Sequence, residues 1–186
     1  MPISPIITFK AGRCDFPPGR EPNKIKPLDP PGYVYLYFED GLVHFCWRTR
    51  NNISEMPEMH LIVERKECSF RPYERDTTAR PTAKTNGRIF VLKFASYSQR
   101  YLFWMQSKPQ SRDGDPSWFS PRDRLIGKIV HRVLQGEEDI DVAGELAGVC
   151  NTDDRFDDDG NRKIEDVEEV EEKEQEPKRR WGRWWW

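Results

Sequence analysis

The sequence has no apolar run long enough to cross a bilayer. Its opening, Met1-Pro2-Ile3-Ser4-Pro5, lacks the charged and apolar regions of a signal peptide. No P-loop, GxGxxG, HExxH or GxSxG pattern occurs. The four cysteines, Cys14, Cys46, Cys68 and Cys150, form no Cys-x-x-Cys pair, which favours reduced thiols over a disulfide or a zinc site. The histidines His44, His60 and His131 stand far apart, with no cysteine at ligand spacing. These absences argue against an enzyme and suggest no cofactor or metal. Hydrophobic residues are also scarce, at 36%, against 33% charged. Part of the chain therefore contributes nothing to a core.

Charge is unevenly divided along the chain. Residues 135–186 carry 18 acids and 8 bases, whereas residues 1–134 carry 14 acids and 22 bases. This break near Gln135-Gly136 marks a domain limit, with residues 1–136 as the body and 137–186 as an acidic tail. The acidic runs from Asp153 and Glu168 offer too little apolar surface to offset the entropy of ordering. The tail is expected to be disordered, with nascent helix over 164–173. It ends in four tryptophans, Trp181 and Trp184 to Trp186, interspersed with arginine. A partner anchor and a terminus without a defined role both fit them.

What is present is β-rich. Aromatic and β-branched residues crowd 33–38, 42–48, 89–94 and 100–105, and shorter runs lie at 6–10, 59–63 and 67–70. Glu39-Asp40-Gly41 reads as a hairpin turn, because Gly41 accepts positive φ. Prolines at 17, 18, 22, 27, 30 and 31 make residues 16–32 a connector and not sheet core. One helix follows. Ser120 is a candidate N-cap, Pro121 fits the first helical position, and Asp123 puts an acid in the first turn. Leu125, Ile126, Ile129, Val130, Val133 and Leu134 then recur at helical spacing, and Gly136 is a plausible stop. About seven antiparallel strands closed by one C-terminal helix is a mainly β (α+β) arrangement of the pleckstrin-homology type, a small barrel.

Phe103, Trp104, Phe90, Trp47 and Tyr35 read most simply as core, although small barrels also leave aromatic grooves open for peptides. The bases of the body, among them Arg13, Arg20, Lys24, Arg48, Arg50, Arg65, Lys66, Arg88 and Arg100, are dispersed. Neither nucleic acid nor a membrane surface is an expected partner.

The strand Leu42-Val43-His44-Phe45-Cys46-Trp47 directly after Glu-Asp-Gly resembles a known family. So do the stretches 87–94 and 100–106 and the opening Phe9-Lys10-Ala11-Gly12-Arg13. All four blocks resemble the Pru (pleckstrin-like receptor for ubiquitin) domain of the proteasomal ubiquitin receptors, the adhesion-regulating-molecule family. The likeness runs from about Ile6 to Leu134. It implies a subunit of the proteasome regulatory particle, in cytoplasm and nucleus, that delivers ubiquitin-bearing substrates. It also implies two binding surfaces. Asp40, Leu42, Leu61, Val63, Glu67, Phe94 and Arg100 match positions that grip the apolar patch of ubiquitin. Cys14, Ile25, Pro27, Ile89, Phe90, Trp104 and Gln106 match positions that hold the C-terminal tail of the large non-ATPase scaffold subunit.

The chain departs from the family pattern at two positions. Glu64 stands where the family has a phenylalanine against ubiquitin, and Lys66 where it has an acid, while Glu67 keeps an acid in place. An adaptor that keeps the scaffold site without useful ubiquitin affinity is therefore the second reading, and a phosphoinositide-binding module the third. Longer family members add a helical domain that recruits a deubiquitinase; with an acidic tail in that place, no such recruitment through a C-terminal domain is expected.

Overall fold

A computed structural model describes residues 3–15, 25–50, 56–73 and 87–149. Eight strands and two helices lie within them: β1 (Ile7–Asp15), β2 (Lys26–Pro27), β3 (Gly32–Glu39), β4 (Leu42–Thr49), β5 (Met59–Val63), β6 (Cys68–Pro72), β7 (Ile89–Phe94), β8 (Arg100–Met105), α1 (Pro121–Leu134) and α2 (Val142–Ala147). All pairings are antiparallel, in the order β5-β4-β3-β1-β8-β7-β6, with β2 beside β1. The fold is the expected mainly β, pleckstrin-like one, but the sheet does not close, since β5 and β6 do not pair.

Strand β1 organises the sheet. Residues Ile7 to Lys10 pair with β3, and Ala11 to Cys14 pair with β8. The sequence pattern predicts only 6–10 as strand. The run continues because Ala11 and Gly12 let neighbouring side chains close over the backbone. A Cβ on Gly12 would collide with the Trp104 indole and the Gln106 carboxamide. The connector read as proline-rich also contributes a strand, the two-residue β2, with Cys14 opposite Pro27. At a sheet edge proline loses no ladder bond it needs.

Alternation divides each strand between two faces. The inner face holds Phe9, Val34, Leu36, Phe45, Trp47, Phe70, Phe90, Leu92, Phe103 and Met105, closed by Ile126, Ile129, Val130, Val133 and Leu134 of α1. Helix α1 packs on β6, whose Cys68 carbonyl accepts from Gln135 Nε2 at 2.9 Å and whose Phe70 N–H points at His131 Nδ1 at 3.5 Å. Burial, with Arg71 beside it, lowers the His131 pKa, so the imidazole stays neutral near pH 7.

The helix begins as its sequence indicates. Ser120 caps it, its hydroxyl accepting from Asp123 N at 3.0 Å, while the Asp123 carboxylate accepts from Ser120 N at 2.9 Å. Asp123 does more than cap. It is 2% exposed and ion-paired at 2.8 Å with Arg88, which is 0% exposed and also donates to Ser107.

Gly127 lets α1 approach the sheet, because its missing Cβ leaves room for the Phe90 ring. Gly127→Ala is expected to destabilise the protein by about 1 kcal/mol. The overpacking cost of about 1–3 kcal/mol is offset in part by the higher helix propensity of alanine, about 1 kcal/mol. Denaturant midpoints measure it; a more stable variant would show that α1 does not sit this close.

The charge break at Gln135 is not the edge of the packed chain. Gln135 ends α1 and Gly136 turns it at φ 92, but Ile140, Val142 and Leu146 still pack against the core. Reading everything after Gly136 as disordered is thus corrected for residues 137–149: two of their acids, Glu137 and Glu145, pair with Arg132. The expected nascent helix at 164–173 and the terminal tryptophans lie outside the described residues.

Candidate functional site

Three turns meet at one end of the sheet. Asp40 (φ 51) and Gly41 (φ 77) form the tight β3–β4 turn, both with the positive φ that a two-residue hairpin of this hand requires. The β5–β6 turn, residues 64–67, closes with Glu67 N to Glu64 O at 3.2 Å and carries Lys66 at φ 67. It is joined to the β7–β8 turn by Ala95 N to Glu67 O at 2.8 Å, and to the β3–β4 turn by Arg65 Nε to Gly41 O at 3.3 Å.

Phe94 lies half-buried where β7 leaves the sheet, edge-on to Tyr97 and Tyr101 with ring centroids 6.2 Å apart in each pair. Tyr97 is 67% exposed. Nothing in the reading by family likeness singles out Tyr97; an aromatic at a turn tip, three residues beyond Phe94, was the available signal.

Of the residues expected to meet ubiquitin, Asp40 and Arg100 are exposed, and Leu42, Glu67 and Phe94 half-buried, all in or beside these turns. Val63 is corrected, while Leu61 is half-buried like Leu42 and Phe94. Both take the inward register of β5 with Met59; Val63 is 1% exposed and Leu61 packs against the core. The outward residue between them, Ile62, is 59% exposed. Glu64 and Lys66 are exposed, so the turn offers two charges where an aromatic anchor was to be sought.

A second apolar cluster covers the outer face of β1, β7 and β8. Cys14, Ile89 and Leu102 are its buried members, and Ile25, Tyr73, Val91 and Trp104 pack around them. Trp104 stands opposite both Gly12 and Ile89. Its indole N–H is buried with no hydrogen-bond partner among the described residues. Pro27 flanks the cluster from β2. Gln106 is engaged already, its Oε1 accepting from Arg50 at 2.5 Å and from Gly32 N at 3.3 Å.

Phe90 does not belong to this surface. It is 0% exposed, stacked on Phe70 at 4.8 Å and edge-on to Phe119 at 5.1 Å. Its neighbours Ile89 and Val91 face outward, and the two-residue period turns Phe90 inward.

The chemistry at hand is that of contact. Burial pushes the Cys14 thiol up to about 12, partly offset by a backbone hydrogen bond from Trp104, and it likewise raises Cys46 to about 11 and Cys68 to about 12. All three stay protonated near neutral pH and are poor nucleophiles. His44 Nδ1 lies 2.8 Å from His60 Nε2, and the His44 ring stacks on Tyr37 at 4.5 Å. Among the described residues, no three metal-ligating side chains cluster and no helix is long and apolar enough to cross a membrane.

Residues 6–117 match the family model described as the Pru domain of the proteasome complex subunit Rpn13. The Schizosaccharomyces pombe proteasomal ubiquitin receptor ADRM1 homolog rpn1301 is 36% identical over 115 residues, 61% of this chain and 35% of that protein. The Xenopus laevis proteasomal ubiquitin receptor ADRM1-A is 32% identical over 109 residues, 58% of this chain and 24% of that protein. The Drosophila melanogaster ADRM1 homolog is 33% identical over 114 residues, 60% of this chain and 25% of that protein. The chain thus spans about a third or less of the curated relatives it matches.

Proposed function

Because the chain belongs to the Rpn13/ADRM1 Pru-domain family, we propose that it is a non-enzymatic ubiquitin receptor of the proteasome regulatory particle. It docks through the Trp104 surface on the C-terminal tail of the large scaffold subunit and binds ubiquitin chains with the three turns. The mechanism is tethering: a substrate held by its ubiquitin chain is kept at high local concentration beside the degradation machinery. The observation that carries this reading is the convergence of three turns on Leu42, Phe94 and the 67%-exposed Tyr97. An aromatic anchor with charges around it is how compact interfaces concentrate their energy.

The outer cluster suits an extended peptide. Trp104, Val91 and Ile25 give apolar contact to such a peptide. Trp104→Ala is expected to weaken a scaffold-tail peptide about tenfold and to leave ubiquitin-dimer binding within about twofold. Titration of both ligands checks this, with circular dichroism to confirm the fold. Equal losses at both would remove the two-surface arrangement.

A second reading is favoured by one feature, the exposed Glu64 and Lys66 of the β5–β6 turn. On it the protein is a scaffold-bound adaptor with little ubiquitin affinity. Titrating labelled ubiquitin dimers against the full chain decides between the two: saturation supports the receptor, and no binding alongside intact scaffold-tail binding supports the adaptor.

A further inference from the structure

Arg65 has no counterpart in the expected binding set, yet it connects several parts of the three-turn end. Its guanidinium pairs with Glu138, its Nε donates to Gly41 O at 3.3 Å, and its Cζ lies 5.9 Å over the Phe38 ring. The aliphatic stem runs against Gly136, where a Cβ would stand only 2.7 Å from Arg65 Cδ. Lys66 N donates to Leu134 O at 2.9 Å, so the same turn is fastened to the end of α1.

The stretch that supplies Glu138 is itself anchored. Arg132 holds Glu137 on one side and Glu145, at 2.7 Å, on the other, and Ile140, Val142 and Leu146 rest on the core. The acidic stretch is thus a strap from α1 to the β5–β6 turn, and through Arg65 to the β3–β4 turn.

We propose that Glu138 is a positioning residue of the partner-binding end: by holding Arg65 it sets two of the three turns and completes an acidic rim for a partner with an apolar patch and a basic border. The proposal rests on the reading of this end as the ubiquitin surface. Glu39, Asp40, Glu64, Glu67 and Glu138 stand there against Arg65, Lys66, Lys93 and Arg100. Without Glu138, Arg65 loses its ion-pair partner and stands beside Lys66 as a second cation at this end. The added positive charge then repels a basic border, and the Arg65 side chain that donates to Gly41 O is held less firmly. The pair is 42% and 54% exposed, so it adds little to global stability. Its influence belongs in association, where rim charges set on-rate and salt dependence.

The test titrates ubiquitin dimers against the full chain at low and high salt. Glu138→Arg is expected to weaken binding about fivefold at low salt, and less at high salt, with thermal unfolding unchanged. Glu138→Gln is expected to fall between it and the wild type. In an Arg65→Ala background, Glu138→Gln is expected to change binding by less than about twofold, since the tie it acts through is already gone. A wild type that binds while Glu138→Arg binds equally well overturns the proposal and leaves the receptor reading intact. A Glu138→Gln change that weakens binding as much in the Arg65→Ala background as in the wild type also overturns it, since the pairing is then irrelevant. A wild type that binds no ubiquitin dimer sinks the receptor reading, and the proposal with it.

Discussion

Asp123→Ala is expected to destabilise the protein by about 3–5 kcal/mol, read from urea denaturation. Two losses combine. The substitution removes one partner of an ion pair that water hardly reaches, with Arg88 0% and Asp123 2% exposed. It also removes the reciprocal cap at the start of α1, where Ser120 N loses its carboxylate acceptor. The guanidinium left behind keeps Ser107, to which it donates, but loses the Asp123 carboxylate, and the loss of a buried ion-pair partner carries most of the cost. The pair joins the start of β7 to the start of α1, so its loss loosens the helix from the sheet it closes. Adding Arg88→Met to Asp123→Ala is expected to recover more than half of the loss, since the stranded charge goes while apolar volume remains. A loss below about 1 kcal/mol for Asp123→Ala alone would mean that water reaches the pair and the network is not a structural fastening.

Phe94→Ala is expected to weaken ubiquitin-dimer binding by about 2 kcal/mol, some thirtyfold. With Glu64 in the neighbouring turn and Val63 turned into the core, the apolar contact falls to Leu42, Phe94 and Tyr97. Phe94 also packs against the core and the Tyr101 ring, so its removal costs some folding stability, and the variant needs a thermal melt beside the titration. Glu64→Phe is the converse experiment. The site is exposed and tolerates the change, and an aromatic there adds desolvated area between the turns, so affinity should rise. Calorimetry on the two variants gives opposite signs if the three turns are the ubiquitin surface. Unchanged affinity in both would move the function to the adaptor reading.

The sequence by itself determined the local elements. The paired strands around Asp40-Gly41, the cap at Ser120, the proline at the first helical position and the stripe along α1 all stand as their patterns indicate. Each depends on residues within a few positions of one another, which is why each was legible. Family likeness suggested the two proposed surfaces in outline. Tertiary structure decided which members of each surface are available. Whether Phe90 or Ile89 faces the partner depends on strand parity, and a shift of one residue exchanges the faces. The same parity turned Val63 inward and left Ile62 out. The length of β1 depended on Gly12 lying under Trp104, a partner far along the chain. Arg88 reads in the sequence as one more dispersed base, and only folding brings Asp123 to it. The strap at Glu138 was hidden for the same reason. Composition marks residues after Gly136 as acidic and unfit for a core, but Arg132 and Arg65, presented by the folded body, give those acids defined partners. Local pattern follows from covalent neighbours; long-range pairing of charges and ring against glycine exists only after the chain has closed on itself.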